Sequence, residues 1–229
     1  MEYVFLLIIV IVLTVILGIN FEFNLKKIKR IGENKELDEL CKDYPENIEM
    51  CKYYLKKLNN ENVQIEEDDK AEASLYIAVS NKIVIANIKN SFTRIQTIAH
   101  ECLHSVQNRK ILMFNFIFSN IYLIYFIAIS MYAIFCLLPH KDFFMSILMI
   151  LGLIYYMVRS YLENDAMIKA RYLAKEYMEE VQISSEEEIE KIVKGFDDLN
   201  NAGIKCVNYK LFLSVIMKIL IFLLICLFF

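Results

Sequence analysis

The chain has 229 residues, 57% hydrophobic and 23% charged, with a formal net charge of −3. Such apolar content excludes a purely soluble globular protein, and it excludes a long disordered chain, which would be poor in Ile, Leu and Phe. Five Gly and two Pro argue against a turn-rich barrel or sandwich, and the charge offers no bulk reason for nucleic-acid binding.

The first apolar segment, Tyr3 to Ile19, carries no charge after Glu2. Its start lacks Lys or Arg, and Leu17-Gly18-Ile19-Asn20 lacks a small-x-small cleavage pattern, so residues 1–19 are expected to be a retained transmembrane anchor. Residues 20–110 form a soluble part. In it Leu37, Leu40 and Cys41 sit at helical spacing until Pro45 intervenes. Ile48, Cys51, Tyr54, Leu55 and Leu58 predict a second helix. The acidic stretch Gln64 to Lys70 is expected to be a loop. Ser74 to Val79 and Lys82 to Ala86 predict two strands joined by a hairpin at Ser80-Asn81. Ser91 or Thr93 is expected to cap a helix starting near Arg94.

Ile111 to Leu138 and Phe143 to Val158 predict a transmembrane hairpin over 111–158, and Leu162 extends the second helix past Arg159. Residues 159–210 are expected to be soluble helices, one over about Ser160 to Glu180 and one opened by a Ser185/Glu188 capping box and ending near Gly203. Residues 211–229 predict a last span containing Lys218, which either snorkels or pairs with a carboxylate. Basic residues (Lys26, Lys27, Lys29, Arg30; Arg109, Lys110; Arg159; Lys205, Lys210) fall on one side of four spans, the expected cytoplasmic side. Six scattered Cys without a Cys-x-x-Cys pair imply reduced thiols.

His100-Glu101-Cys102-Leu103-His104 carries the chemistry. On a helix, positions i and i+4 share a face, so both imidazoles can meet one metal ion. Glu101, about 100° from His100, lies beside the metal. There it can take a proton from a water activated by the metal and pass it to a leaving amine. Zinc accepts imidazole and carboxylate ligands and keeps a position open. Only three His are present, and His140 is expected across the membrane, so a carboxylate is the expected third ligand. Glu163 is the choice, four residues after Arg159, with Asp165 as alternative. Both motif helices are expected within ~8 Å of one membrane surface at about 1.5 Å per residue. Cys102, about 200° from His100, is expected to pack; Ser105 and Gln107 are expected to be surface or interfacial polar residues, the alternative for Gln107 being to cap the helix or support the site.

The order of these features resembles the YugP-like neutral zinc metallopeptidases of bacterial membranes. Lys82 to Ala86, His100 to His104 with Gln107, Glu163 with Ala166 and Ala170, and Leu211 to Phe229 carry the likeness. HtpX-like membrane gluzincins are a related comparison, although here Met167 stands where they place an Asp, and Leu103 replaces the usual Gly. The resemblance implies a peptidase. Taken together, the expectation is a mainly α integral membrane protein with about four transmembrane helices and a small α+β cytoplasmic zincin-like domain with a short β-hairpin. It would bind one zinc ion through His100, His104 and Glu163 and use Glu101 as general base. It would hydrolyse peptides or membrane proteins at the cytoplasmic face of a bacterial plasma membrane. Leu75 to Val79 or Lys82 to Ala86 would offer a sheet edge to extended substrate. The alternative is a non-catalytic membrane scaffold with a structural zinc.

Overall fold

The computed structural model describes residues 2–228. Its elements are α1 (Glu2–Gly32), α2 (Lys35–Leu40), α3 (Asn47–Lys57), β1 (Gln64–Glu67), β2 (Leu75–Ile77), β3 (Lys82–Ile85), α4 (Thr93–Val106), α5 (Arg109–Ile134), α6 (Lys141–Val181) and α7 (Glu186–Phe228). Among the described residues four helices, α1, α5, α6 and α7, are long and apolar enough to cross a membrane. The chain divides into two compact units. One is Met1–Asn24, Phe114–Tyr161 and Lys205–Phe229; the other is Leu25–Met113 and Leu162–Ile204.

The first unit is a helical bundle whose core gathers Tyr122, Leu148, Val215 and Phe222. Its outward residues, among them Ile8, Ile117, Ile124 and Leu153, stay exposed, which is compatible with a membrane protein. Lys218 turns back along α7. Its Nζ donates to the Ser214 carbonyl at 3.2 Å and to Ser214 Oγ at 3.0 Å, and it lies 5.3 Å from the Tyr122 ring centroid. Among the described residues no carboxylate pairs with it. α5 ends at Ile134 rather than at Leu138, because Cys136 adopts φ 56° and reverses the chain.

The second unit packs α3, α4, α6 and α7 around a small sheet. Its core holds Met50, Cys51, Tyr54, Ile83, Ile85, Ile95, Ile98, Ala99 and Phe196. The strands run in the order β1-β3-β2. β2 and β3 form the expected antiparallel pair, Tyr76 opposite Ile83, and Asn81 at φ 50° closes the turn. β2 is shorter than expected. The acidic stretch expected as a loop is in fact strand β1, parallel to β3, with Gln64 opposite Lys82. Lys82 pairs with Glu66, and Lys89 reaches Glu67 at 3.9 Å, so the carboxylates are neutralised; Ile65 packs on the core. β3 is therefore the central strand, and Lys82 to Ala86 is not an edge.

α6 runs unbroken from Lys141 past Arg159 and stops at Val181, about where the helix expected over Ser160 to Glu180 ends, and Gln182 there adopts φ 53°. The Ser185/Glu188 capping box opens α7: Ser185 N–H donates to Glu188 Oε2 at 2.7 Å, and Glu188 N–H donates to Ser185 Oγ at 3.4 Å. α7 does not end near Gly203. The helix runs on through it, and among the described residues the only atom near where its Cβ would be is the flexible end of the Met167 side chain, Cε at 2.6 Å.

Candidate metal centre

The apolar face of α4 sets the site. Ile95, Ile98, Ala99 and Cys102 are buried at helical spacing, which turns His100 and His104 together onto the adjoining face. The start of α4 is pinned from two sides. Phe92 N–H donates to Asp38 Oδ1 at 2.8 Å, and Ser91 Oγ accepts Thr93 N–H at 3.2 Å. Arg94, buried below, donates to the Pro45, Cys41 and Tyr44 carbonyls at 2.7, 3.0 and 2.8 Å.

On α6, Ala166, Ala170 and Ala174 are fully buried at a four-residue spacing. Side chains that small let neighbouring helices come close. Glu163 stands one turn before this stripe and reaches the two imidazoles. His104 Nε2 and His100 Nε2 are 3.0 Å apart, and Glu163 Oε2 is 3.6 Å from each. The three ligand atoms all lie within 4.8 Å of one another. A tetrahedral ion with bonds of ~2.0–2.2 Å needs ligand atoms about 3.4 Å apart, so the group fits a single metal ion.

Glu101 lies beside that group, with Oε1 3.9 Å from His100 Nε2. Burial holds its carboxyl above the ordinary value. The imidazoles of His100 and His104 and the donated Tyr76 backbone N–H act against that rise, while Glu163 adds to it. A carboxylate of raised basicity is a better proton acceptor. For His104, burial acts to lower the imidazole, but the nearby Glu163 carboxylate, with Glu101 and Gln107, outweighs it and holds it above its usual range. That negative potential favours a cation between the ligand nitrogens.

Asp165, the alternative ligand, is engaged elsewhere. Its Oδ1 lies 2.7 Å from Lys169 Nζ, and its Oδ2 accepts from Gln107 Nε2 at 3.3 Å. Cys102 packs as expected, its Sγ 3.5 Å from Cys51 Sγ in the core, and none of the six cysteines forms a disulfide. Leu103 is buried in the same core, a place where a glycine would leave space. Ser105 is not merely a surface residue: its Oγ accepts from Asn60 Nδ2 at 2.9 Å and donates to the Cys102 carbonyl at 2.6 Å.

Sequence reasoning missed Tyr76, whose backbone helps to lower the Glu101 carboxyl, and it preferred a surface place for Gln107 over the supporting one, although Gln107 touches His104. Neither residue type signals its role, and Gln107 meets Leu162 and Asp165 only through the packing of α6.

No protein-family model matches the chain, and no curated protein or solved structure matches it.

Proposed function

We propose that this chain is a zinc-dependent membrane endopeptidase of the YugP-like kind. The observation that carries the reading is the placement of Glu101 beside a three-ligand metal group and against strand β2. Zinc suits two imidazole nitrogens and one carboxylate. When bound, it supplies Lewis acidity that polarises a scissile carbonyl and acidifies a water. Glu101 takes the proton of the attacking water and delivers it to the leaving amine. Burial supports this role, since it makes the carboxylate more basic and excludes competing solvent.

Substrate lies extended along β2. β2 is an edge strand of the sheet, and α4 packs against it; a peptide strand adds along its free edge through main-chain hydrogen bonds. The substrates are peptides or membrane proteins. The site faces the cytoplasm, because the basic residues Lys26, Lys27, Arg30, Arg109 and Lys110 flank the apolar segments on the same side as the motif.

The experiment is metal content of the detergent-purified full chain, in wild type, Glu163→Ala and Glu101→Gln. One zinc per chain is expected in wild type and Glu101→Gln, and loss of zinc in Glu163→Ala. A wild type that retains no metal when supplied with zinc, or a Glu163→Ala chain that holds it undiminished, defeats the assignment.

A further inference from the structure

Gln107 follows the last turn of α4, with extended backbone (φ −62°, ψ 158°). Its backbone N–H already serves the helix end, donating to the His104 carbonyl at 3.3 Å. The side chain therefore has no capping task, and all of its partners lie off the α4 backbone. Its Nε2 is 2.8 Å from the Leu162 carbonyl and 3.3 Å from Asp165 Oδ2; its Oε1 is 2.8 Å from His104 Nδ1.

The amide has only one permissible orientation. A backbone carbonyl and a carboxylate can only accept, so the group facing them must be the NH₂. Asp165 is itself held as a carboxylate by Lys169 at 2.7 Å. The amide oxygen is then left facing His104, and an oxygen can only accept, so His104 Nδ1 must carry a proton. That places the free lone pair of the neutral ring on Nε2, the nitrogen that faces His100 and Glu163. Leu162 immediately precedes Glu163 in the chain, so one side chain ties the second ligand to the residue beside the third.

We infer that Gln107, oriented by the Leu162 carbonyl and Asp165, is a positioning residue that fixes His104 in the Nδ1-protonated tautomer and clamps the helix of the two histidines to the helix of Glu163. The inference rests on the metal-site reading above for its consequence, and on hydrogen-bond chemistry alone for the tautomer. Partners of this kind orient metal-binding imidazoles, and their loss weakens metal binding by about 10–100-fold.

The test uses the full chain in detergent, with the zinc dissociation constant from chelator competition and ¹⁵N spectra of the histidine rings. With three His in the chain, assignment by single substitution is direct. Spectra are taken on metal-free chain at about pH 9, above the ordinary histidine range. Wild type is expected to show His104 protonated on Nδ1. Gln107→Leu, which removes donor and acceptor, is expected to lose that tautomer preference and to bind zinc about 10–100-fold more weakly. Gln107→Glu keeps an acceptor for Nδ1–H but loses the donor to Leu162. It is expected to keep the tautomer and still bind zinc more weakly than wild type, which separates the two halves of the inference. A wild-type His104 protonated on Nε2 overturns it. So does a Gln107→Leu chain with unchanged tautomer and unchanged zinc affinity, even if its thermal stability falls. If wild type binds no zinc, the metal reading fails, and the metal-free spectra still decide whether Gln107 sets the tautomer.

Discussion

Glu101 Oε1 lies 3.9 Å from His100 Nε2, on a helix that packs against strand β2. Glu101 is 7% exposed, and the two imidazoles, with a smaller contribution from the Tyr76 backbone, favour its charged form against burial. Burying such a group without partners would be costly.

Replacing Glu101 by Gln is expected to retain the side-chain volume and the metal while removing the proton acceptor. Peptide cleavage by the zinc-loaded chain should fall by about 10²–10⁴-fold with zinc content unchanged. Equal cleavage by both chains, measured on a fluorogenic peptide, would remove Glu101 from the mechanism.

Two glycines of α7 should respond oppositely to Ala. At Gly195 a Cβ would meet Leu37 Cδ1 at 2.6 Å and Phe92 Cε2 at 3.1 Å, and Phe92 is fixed by its stack on Phe196, centroids 5.9 Å apart. Overpacking there should cost about 1–3 kcal/mol. At Gly203 the neighbour is the end of the flexible Met167 side chain, so Gly203→Ala should gain up to roughly 1 kcal/mol of helix propensity. Thermal unfolding in detergent checks the order; Gly195→Ala more stable than Gly203→Ala would refute the packing account.

Arg94 is 4% exposed and serves three backbone carbonyls at the α2–α3 junction. Each buried acceptor left bare costs about 1–3 kcal/mol. Arg94→Leu is therefore expected to destabilise the chain by roughly 3 kcal/mol or more, and Arg94→Lys to recover part of the loss. Denaturant midpoints for the two variants give the comparison, and a Leu variant as stable as wild type would show that these bonds contribute little.

The α7 capping box is pH-dependent. The backbone N–H of Ser185, then its hydroxyl, hold the Glu188 carboxyl below its ordinary value of 4.5. A carboxyl depressed in the folded state stabilises above its unfolded value and loses that contribution as pH falls through the folded one. The first turn of α7 should therefore loosen only below about pH 4.5. Amide exchange at Glu188, compared between wild type and Glu188→Gln, checks it: the difference should vanish in acid, and a difference that grows there contradicts the capping role.

The Ser185/Glu188 box, the β2–β3 hairpin and the four apolar helices were all legible from neighbouring residues alone, since capping, alternation and long apolar runs are local properties. Strand β1 was not. Gln64–Glu67 is poor in strand-forming residues, and it pairs because β3 brings Lys82 to Glu66. Nor was the length of α7, since a glycine reads as a stop where the helix in fact runs on into the apolar last segment.

The sequence by itself determined the helical face shared by His100 and His104, because a four-residue spacing places two side chains together whatever surrounds the helix. It also pointed to Glu163, through the order of spans and charges. Only the tertiary structure decided that Glu163 Oε2 lies 3.6 Å from both imidazoles and that Asp165 is occupied by Lys169 and Gln107. Those are hydrogen bonds and ion contacts between groups far apart in the chain, such as Gln107 and the Leu162 carbonyl 55 residues on. Their geometry exists only once α4, α6 and the sheet have packed, because a hydrogen bond is decided by tenths of an ångström and by direction, and residue identity alone specifies neither.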